Sequence, residues 1–252
     1  MRLPTALNGL ESFVVFDDNR SLIDKRYAIY RRSISNTLPN FLFPQQKTKT
    51  TSLLGLYRLK YPLDVYTSIR ATAQIRFDRF FYLHSDEFSA NQLNDNEKRI
   101  SLKGEYVFDN TIPKDDNVLW GTRYKAYVEI INRFEINNQD GFTFDPSRGF
   151  TTIVGFDARH YIPVLNHSIL ALRGAGATSF GSDKILYYVG GVENWILSQT
   201  NQEIGVPPDK VFAYQVIAPH LRGFKTNIRN GSTFLLANTE FRLPIFKYFS
   251  PR

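Results

Sequence analysis

The chain has 252 residues, with 31 Lys and Arg against 24 Asp and Glu for a net charge of +7. Zero Cys excludes disulfides and thiolate-bound metals, and no apolar run approaches the ~18 residues that a membrane-spanning helix needs. The 21 Phe, 14 Tyr and 2 Trp supply too much large apolar surface for intrinsic disorder, and a length near ~250 residues fits one all-β domain. The N-terminal Met1, Arg2, Leu3, Pro4 and Thr5 lack the apolar stretch and small-residue cleavage site of a secretory leader.

In chain order, the predicted elements are strands. Arg26–Ile34 and Ser52–Lys60 come first, and Val65–Asp78 follows as the clearest. One parity of that segment reads Val65, Thr67, Ile69, Ala71, Ala73, Ile75 and Phe77; the other reads Tyr66, Ser68, Arg70, Thr72, Gln74, Arg76 and Asp78. Successive side chains of a strand point to opposite faces, so one face is apolar and the other polar. Ile100, Leu102, Tyr106 and Phe108 oppose Arg99, Ser101, Lys103 and Glu105 in the same way. A polar turn region over 109–117 leads to Tyr124, Ala126, Val128 and Ile130, which oppose Arg123, Lys125, Glu129 and Arg133. After a second turn at 137–141 come Phe150–Tyr161, Ser168–Phe180, Ile185–Gly190 and Val211–Ile217, with a polar stretch at 199–209. Asn230-Gly231 is a turn, and Leu235, Ala237, Thr239, Phe241 and Leu243 close the series against Asn238, Glu240 and Arg242. About ten strands result, in one domain over 1–252 without internal repeats.

Alternation alone leaves open which face is inside. A soluble sandwich or ligand-binding barrel buries the apolar face, whereas an outer-membrane barrel turns it to lipid. Three features favour lipid. Val65 to Phe77 runs about 40 Å at ~3.3 Å per residue, or roughly 28 Å of height at ~45° tilt, close to a bilayer core. The apolar face mixes Ala, Gly and Thr with larger residues, unlike an interlocked core. The polar face carries Arg, Lys, Glu and Asp at mid-strand, which a lumen tolerates and lipid does not.

Residues 185–252 carry a resemblance. Gly190-Gly191-Val192-Glu193-Asn194-Trp195 is followed by a polar loop, then Leu221-Arg222-Gly223-Phe224, then Asn230-Gly231 and Asn238-x-Glu240-x-Arg242-x-Pro244. This order resembles the barrel of the BamA-like outer-membrane assembly-factor superfamily, the bacterial surface antigens. Within it the chain is most similar to Bacteroidetes-type barrels, often fused to a TolB-like propeller. The resemblance implies an antiparallel transmembrane β-barrel in the bacterial outer membrane, of which about ten strands of a larger barrel are here and the C-terminal strands are missing. It implies that Leu221, Arg222, Gly223 and Phe224 form a loop folded into the lumen. Arg222 would pair with a wall carboxylate, Gly223 would permit the turn, and Phe224 would pack on the wall. Glu240 is the expected partner, because a guanidinium offers five donors in a fixed fork. Arg70, Arg76, Arg123, Lys125, Glu129 and Arg242 are expected to face the lumen.

No catalytic chemistry is expected. Gly176-Ala177-Thr178-Ser179-Phe180-Gly181 has one residue too many for a nucleophile elbow. His84, His160, His167 and His220 lack metal spacing, and Asp86, Glu87, Asp95 and Glu97 lack that of a calcium loop. Neither a phosphate loop nor a dinucleotide pattern occurs, so no cofactor or metal is expected. The basic residues are scattered over many strands, which argues against nucleic acid and for a basic lumen or contact with lipopolysaccharide. The expected function is assembly or insertion of outer-membrane proteins, or polypeptide translocation. Its partners would be outer-membrane lipid and lipopolysaccharide, client polypeptides and accessory assembly proteins. A passive porin-like channel and a soluble ligand-binding β-barrel are the alternatives.

Overall fold

The computed structural model describes residues 10–38, 46–83, 95–115, 118–134, 149–165, 168–191, 204, 212–219, 221 and 223–243. Among them every regular element is a strand: β1 Leu10–Asp18, β2 Asp24–Leu38, β3 Gln46–Pro62, β4 Thr67–Leu83, β5 Asp95–Asp109, β6 Ile112–Asp115 and β7 Val118–Arg133. Then follow β8 Thr151–Leu165, β9 Ser168–Gly181, β10 Lys184–Val189, β11 Phe212–Ile217, β12 Arg229–Gly231 and β13 Thr233–Arg242. The large sheet is antiparallel with the order β1-β2-β3-β4-β5-β7-β8-β9-β13, and β6 pairs with β7 off that path. A second sheet has the order β11-β10-β12.

The period-two segments became strands where expected, and they are longer than the sequence suggested. Val65 and Tyr66 fall instead in the turn before β4, where the Asp64 carboxylate accepts the backbone N–H of Tyr66 and of Thr67, each at 2.7 Å. β1, β6 and β12 were not foreseen. β6 lies within the 109–117 turn region, and β12 includes Asn230-Gly231. Pairing of β10 with β11 is parallel, the one departure from antiparallel order among the described residues. Nor is the large sheet closed: among the described residues β1 pairs only with β2, and β13 only with β9.

The register places the connections asymmetrically. Residues 19–23, 63–66 and 166–167 link strands at one end, together with the β6 hairpin. At the other end the intervals are 39–45, 84–94, 134–150 and 182–232.

Cross-strand partners share a face, so the parity of one strand fixes that of the next. Leu102 of β5 lies opposite Ala73 of β4 and Ile130 of β7, and all three are exposed. Leu102 is 63% exposed and Leu235 of β13 is 80% exposed. On the other parity Ser68, Thr72, Asp78, Arg99, Ser101 and Glu105 are buried. The sheet thus encloses its polar side and exposes its apolar side, the reverse of a soluble core.

Between Ile100 and Phe108 the outward positions of β5 are Ile, Leu, Gly, Tyr and Phe, and the matching stretch of β4 from Ile69 to Phe77 is equally free of charge. Eight steps at ~3.3 Å cover about 26 Å along the strand, or roughly 20 Å of height at ~40° tilt. Tyrosines and phenylalanines gather on this face toward the short-connection end. Tyr27 and Tyr57 have ring centroids 5.0 Å apart, and Phe108 stacks on Tyr124 at 5.1 Å.

Candidate functional site

The enclosed polar face is the candidate site. Two groups of charges stand at its centre. In the first, Asp78 receives Arg76 Nε at 2.7 Å and Arg99 Nη1 at 3.2 Å, and the Ser52 hydroxyl donates to it as well. Arg99 also binds Glu97, and Arg133 Nη1 lies 3.4 Å from Glu97. In the second, Asp157 accepts Arg159 at 3.1 Å and Arg173 at 2.7 Å. Beside it Lys103 Nζ lies 3.7 Å from both Glu105 and Glu129, and Lys125 Nζ lies 3.9 Å from Glu105.

The small sheet folds back onto this same face. Ile185 and Tyr187 of β10 pack on Ile131 of β7, Ile153 of β8 and Ala177 of β9, with Tyr127, Val216 and Phe234 around them. The ring of Tyr187 meets that of Phe234 edge-on at 4.9 Å. Ser179 fixes the start of β10: its Oγ accepts the Ile185 N–H at 3.0 Å and donates to the Ile185 carbonyl at 3.2 Å. Small residues on the wall make the room. A Cβ on Gly155 would stand 2.5 Å from the Tyr127 ring, which reaches over β8 with Lys103 Nζ 4.3 Å from its centroid.

At the opposite end of the strands a second apolar cluster joins Val118 to Tyr161, Ile169 and Ala171, flanked by Leu119 and Trp120. Gly121 makes the bend that brings it there. Its φ is +109°, and a Cβ would meet the Asn110 carbonyl oxygen at 2.7 Å. The Asn110 side chain accepts the Thr122 N–H at 2.7 Å across the bend. The ion pairs of Lys103, Lys125, Asp157 and Arg173 lie between these two clusters along the strands.

Arg70, Arg76, Arg123, Lys125, Glu129 and Arg242, expected to line a lumen, lie on one face of the large sheet. Arg76, Lys125 and Glu129 take the partners given above, and Arg123 Nε lies 3.7 Å from Asp109. Arg70 sits opposite Glu105, but its Nε is buried without a hydrogen bond while Glu105 turns to Lys103 and Lys125. Arg242 Nη2 binds Glu240 at 2.8 Å, two residues away on β13.

The lumen-loop residues fare differently. Arg222 lies outside the described residues, so its expected bond to Glu240 does too. Leu221 bridges Gly191, Gly223 has a φ of +83°, and Phe224 is 54% exposed rather than packed on the wall. Of the four His, only His160 is described; it faces outward, with Nδ1 2.7 Å from the Thr122 hydroxyl. Asp86 and Glu87 also lie outside the described residues, and among those described no three His, Asp or Glu side chains form a metal-sized group.

Asp157, Arg159 and Arg173 were missed as site residues. The parity rule applied to β8 and β9 would have put them on the polar face. What the arrangement offers chemically is a field of fixed, paired charges rather than a proton-transfer pair. No protein-family model, curated protein or solved structure matches the chain.

Proposed function

We propose that this chain forms part of the wall of a transmembrane β-barrel in a bacterial outer membrane and acts there in assembling or translocating polypeptides. The observation that carries the membrane reading is the inverted face pattern. Leu102 and Leu235 stand exposed within an outward band free of charge, while Asp78 and Arg99 are sealed on the other side. A soluble barrel would bury the first set. Lipid accepts it, and charges at the midplane of the lipid face would cost ~2–4 kcal/mol each. Short links at one end and long intervals at the other fit barrels whose turns face the periplasm and whose loops face outward.

Two features favour work on polypeptides over a passive pore. The segment between β9 and β13 turns inward and docks on the wall through Ile185 and Tyr187, where an open channel would leave the lumen clear. β1 and β13 each keep one unpaired edge among the described residues, and an incoming strand adds to such an edge by backbone hydrogen bonds. The resemblance of residues 185–252 to the surface-antigen barrels points the same way. This reading requires no covalent chemistry and no cofactor.

The test is reconstitution. The chain, diluted from urea into dilauroylphosphatidylcholine vesicles, should float with the lipid and gain β-structure, and brominated acyl chains should quench its aromatic fluorescence. A chain that stays in buffer as a soluble β protein sinks the membrane reading. Vesicles carrying the protein should then speed the folding of an unfolded client barrel. If they do not, and planar bilayers show a steady open conductance, the passive pore is correct.

A further inference from the structure

Where the small sheet packs on β7, β8, β9 and β13, it covers apolar residues of the enclosed face. On β1, β2 and β3 the same face is apolar again. Phe13, Tyr30 and Leu54 form one cross-strand row there, and Val15, Ala28 and Leu56 form the next. The apolar cluster under the small sheet includes none of these six, and Phe13 is 70% exposed.

The two rows that follow toward the short-connection end are rich in cations. Arg26 lies opposite Arg58, and Lys60 lies opposite Arg70. Each carboxylate nearby is held by another cation. Asp17 accepts Arg26 Nε at 2.6 Å and Nη2 at 2.8 Å, and Asp24 accepts Lys60 at 3.1 Å. Glu105, opposite Arg70, is drawn to Lys103 and Lys125. Arg58 and Arg70 therefore form no ion pair among the described residues: Arg58 Nε donates to the Thr72 hydroxyl at 3.2 Å, and Arg70 Nε is buried without a hydrogen bond. Arg58 faces Thr72, two residues from Arg70, so the two are diagonal neighbours across ~7–8 Å of sheet, and one anion can bridge their side chains.

Resting on the polypeptide reading above, we propose that Arg58 and Arg70 bind a side-chain carboxylate of an extended client segment whose apolar side chains lie on Leu56, Leu54 and Phe13. The uncompensated guanidiniums set the charge of the occupant, and their planar donor forks match a carboxylate. The strand sets its spacing. Arg58, Leu56 and Leu54 follow one another on β3 at two-residue steps, and an extended segment laid along β3 repeats at the same step. The matching sequence therefore carries an acidic residue with apolar residues two and four positions away.

The experiment uses the full chain in dilauroylphosphatidylcholine vesicles and a short fluorescent peptide, with binding read by anisotropy against empty vesicles. The peptide carries Asp followed by Leu two and four positions on, with Ser and Gly elsewhere. Replacing its Asp by Asn should weaken binding on the order of tenfold, the scale of one lost charge-assisted hydrogen bond. Moving both Leu by one position should weaken it as well. The double variant Arg58→Gln, Arg70→Gln should lose the preference for Asp over Asn, whereas Lys25→Gln, on the outward face, should keep it. Equal binding of the Asp and Asn peptides by the parent overturns the proposal without any variant, and so does a preference that survives in the double variant. A preference for Asp that ignores the Leu spacing marks a site for small anions and overturns the client assignment. Absence of selectivity in vesicles that still speed the folding of a client barrel overturns this proposal alone; absence of both overturns the polypeptide reading with it.

Discussion

Asp78 of β4 and Arg99 of β5 are joined at 3.2 Å although the register sets neither opposite the other. Directly across the strands Asp78 faces Glu97 and Arg76 faces Arg99, so both opposed pairs are like-charged. Like charges opposite each other destabilise a sheet, and diagonal neighbours remain within reach of long side chains. The network resolves the conflict diagonally: Arg99 crosses to Asp78, and Arg76 and Glu97 each bind a partner two residues along their own strands. The same solution recurs where Arg159 opposes Arg173 and Asp157 holds both.

Removing Asp78 should therefore cost more than removing an ordinary surface pair. Asp78 is 2% exposed, and Asp78→Ala leaves Arg76 and Arg99 crowded without their shared anion. A buried pair broken on one side costs ~3–5 kcal/mol, and a hydrophobic replacement of both partners is often neutral. Urea unfolding of the refolded protein should show a loss near ~3 kcal/mol for Asp78→Ala, because Glu97 still holds Arg99. The double variant Asp78→Leu, Arg99→Met should recover most of it.

Leu102 and Lys103 are neighbours on β5 that face opposite ways, one exposed on the apolar side and one paired with Glu105 and Glu129. Leu102→Arg should destabilise the protein in phosphatidylcholine bilayers by ~2–4 kcal/mol, whereas Lys103→Gln should cost about 1 kcal/mol or less. Reversible denaturant titration in vesicles measures both. Equal small effects would mean that Leu102 does not face lipid.

The wall was legible in the sequence because its code is local. Val65 to Asp78 and Thr122 to Arg133 state their two faces by parity alone, and Arg70, Arg76, Arg123, Lys125 and Glu129 share a face for that reason. Parity does not say which carboxylate a cation takes. Arg70 and Glu105 are opposite in register yet unbonded, since Glu105 is pulled across to Lys103 and Lys125. The inward sheet was less legible, because β10 and β12 are short and β11 runs parallel to β10, a pairing that no local pattern announces. β6 was hidden because Pro113 sits within it, a residue that a ladder tolerates only at an edge or irregularity, and the register shifts there.

Gly121 should tolerate no side chain. Its φ of +109° and the Asn110 carbonyl 2.7 Å from a virtual Cβ make Gly121→Val strained in backbone and in space. Strain of this kind costs ~1–3 kcal/mol, enough to swing β6 and the start of β7 away from Tyr161 and Ile169. In a Trp195→Phe background the fluorescence of Trp120 should shift to the red in the variant. An unchanged spectrum would show that the bend does not depend on Gly121.

Asp64 gives a pH dependence confined to the β3–β4 turn. The Tyr66 N–H, followed by the Thr67 side chain and backbone, holds its carboxyl below the usual carboxylate range. A depressed folded pKa means that the contribution is present above the unfolded value near ~3.9 and is lost as pH falls through the folded one. Acidification should therefore raise amide exchange at Tyr66 and Thr67 before it reaches the rest of β4. In Asp64→Asn that pH dependence should vanish.

Ile185 anchors the inward sheet, and its truncation should separate the sheet from the wall. The side chain is fully buried against Ile131, Ile153 and Ala177, so Ile185→Ala removes packing and leaves a cavity worth ~2–5 kcal/mol. The wall strands keep their own ladders and ion pairs, which do not pass through Ile185. The loss should thus appear as local opening rather than global unfolding. Hydrogen exchange should quicken at β10 and β12 while β4 and β5 stay protected, and Ile185→Val should lie between variant and parent. Exchange that quickens equally in β4 and β5 would mean that the small sheet and the large one unfold as one unit, and the small sheet could not then move independently.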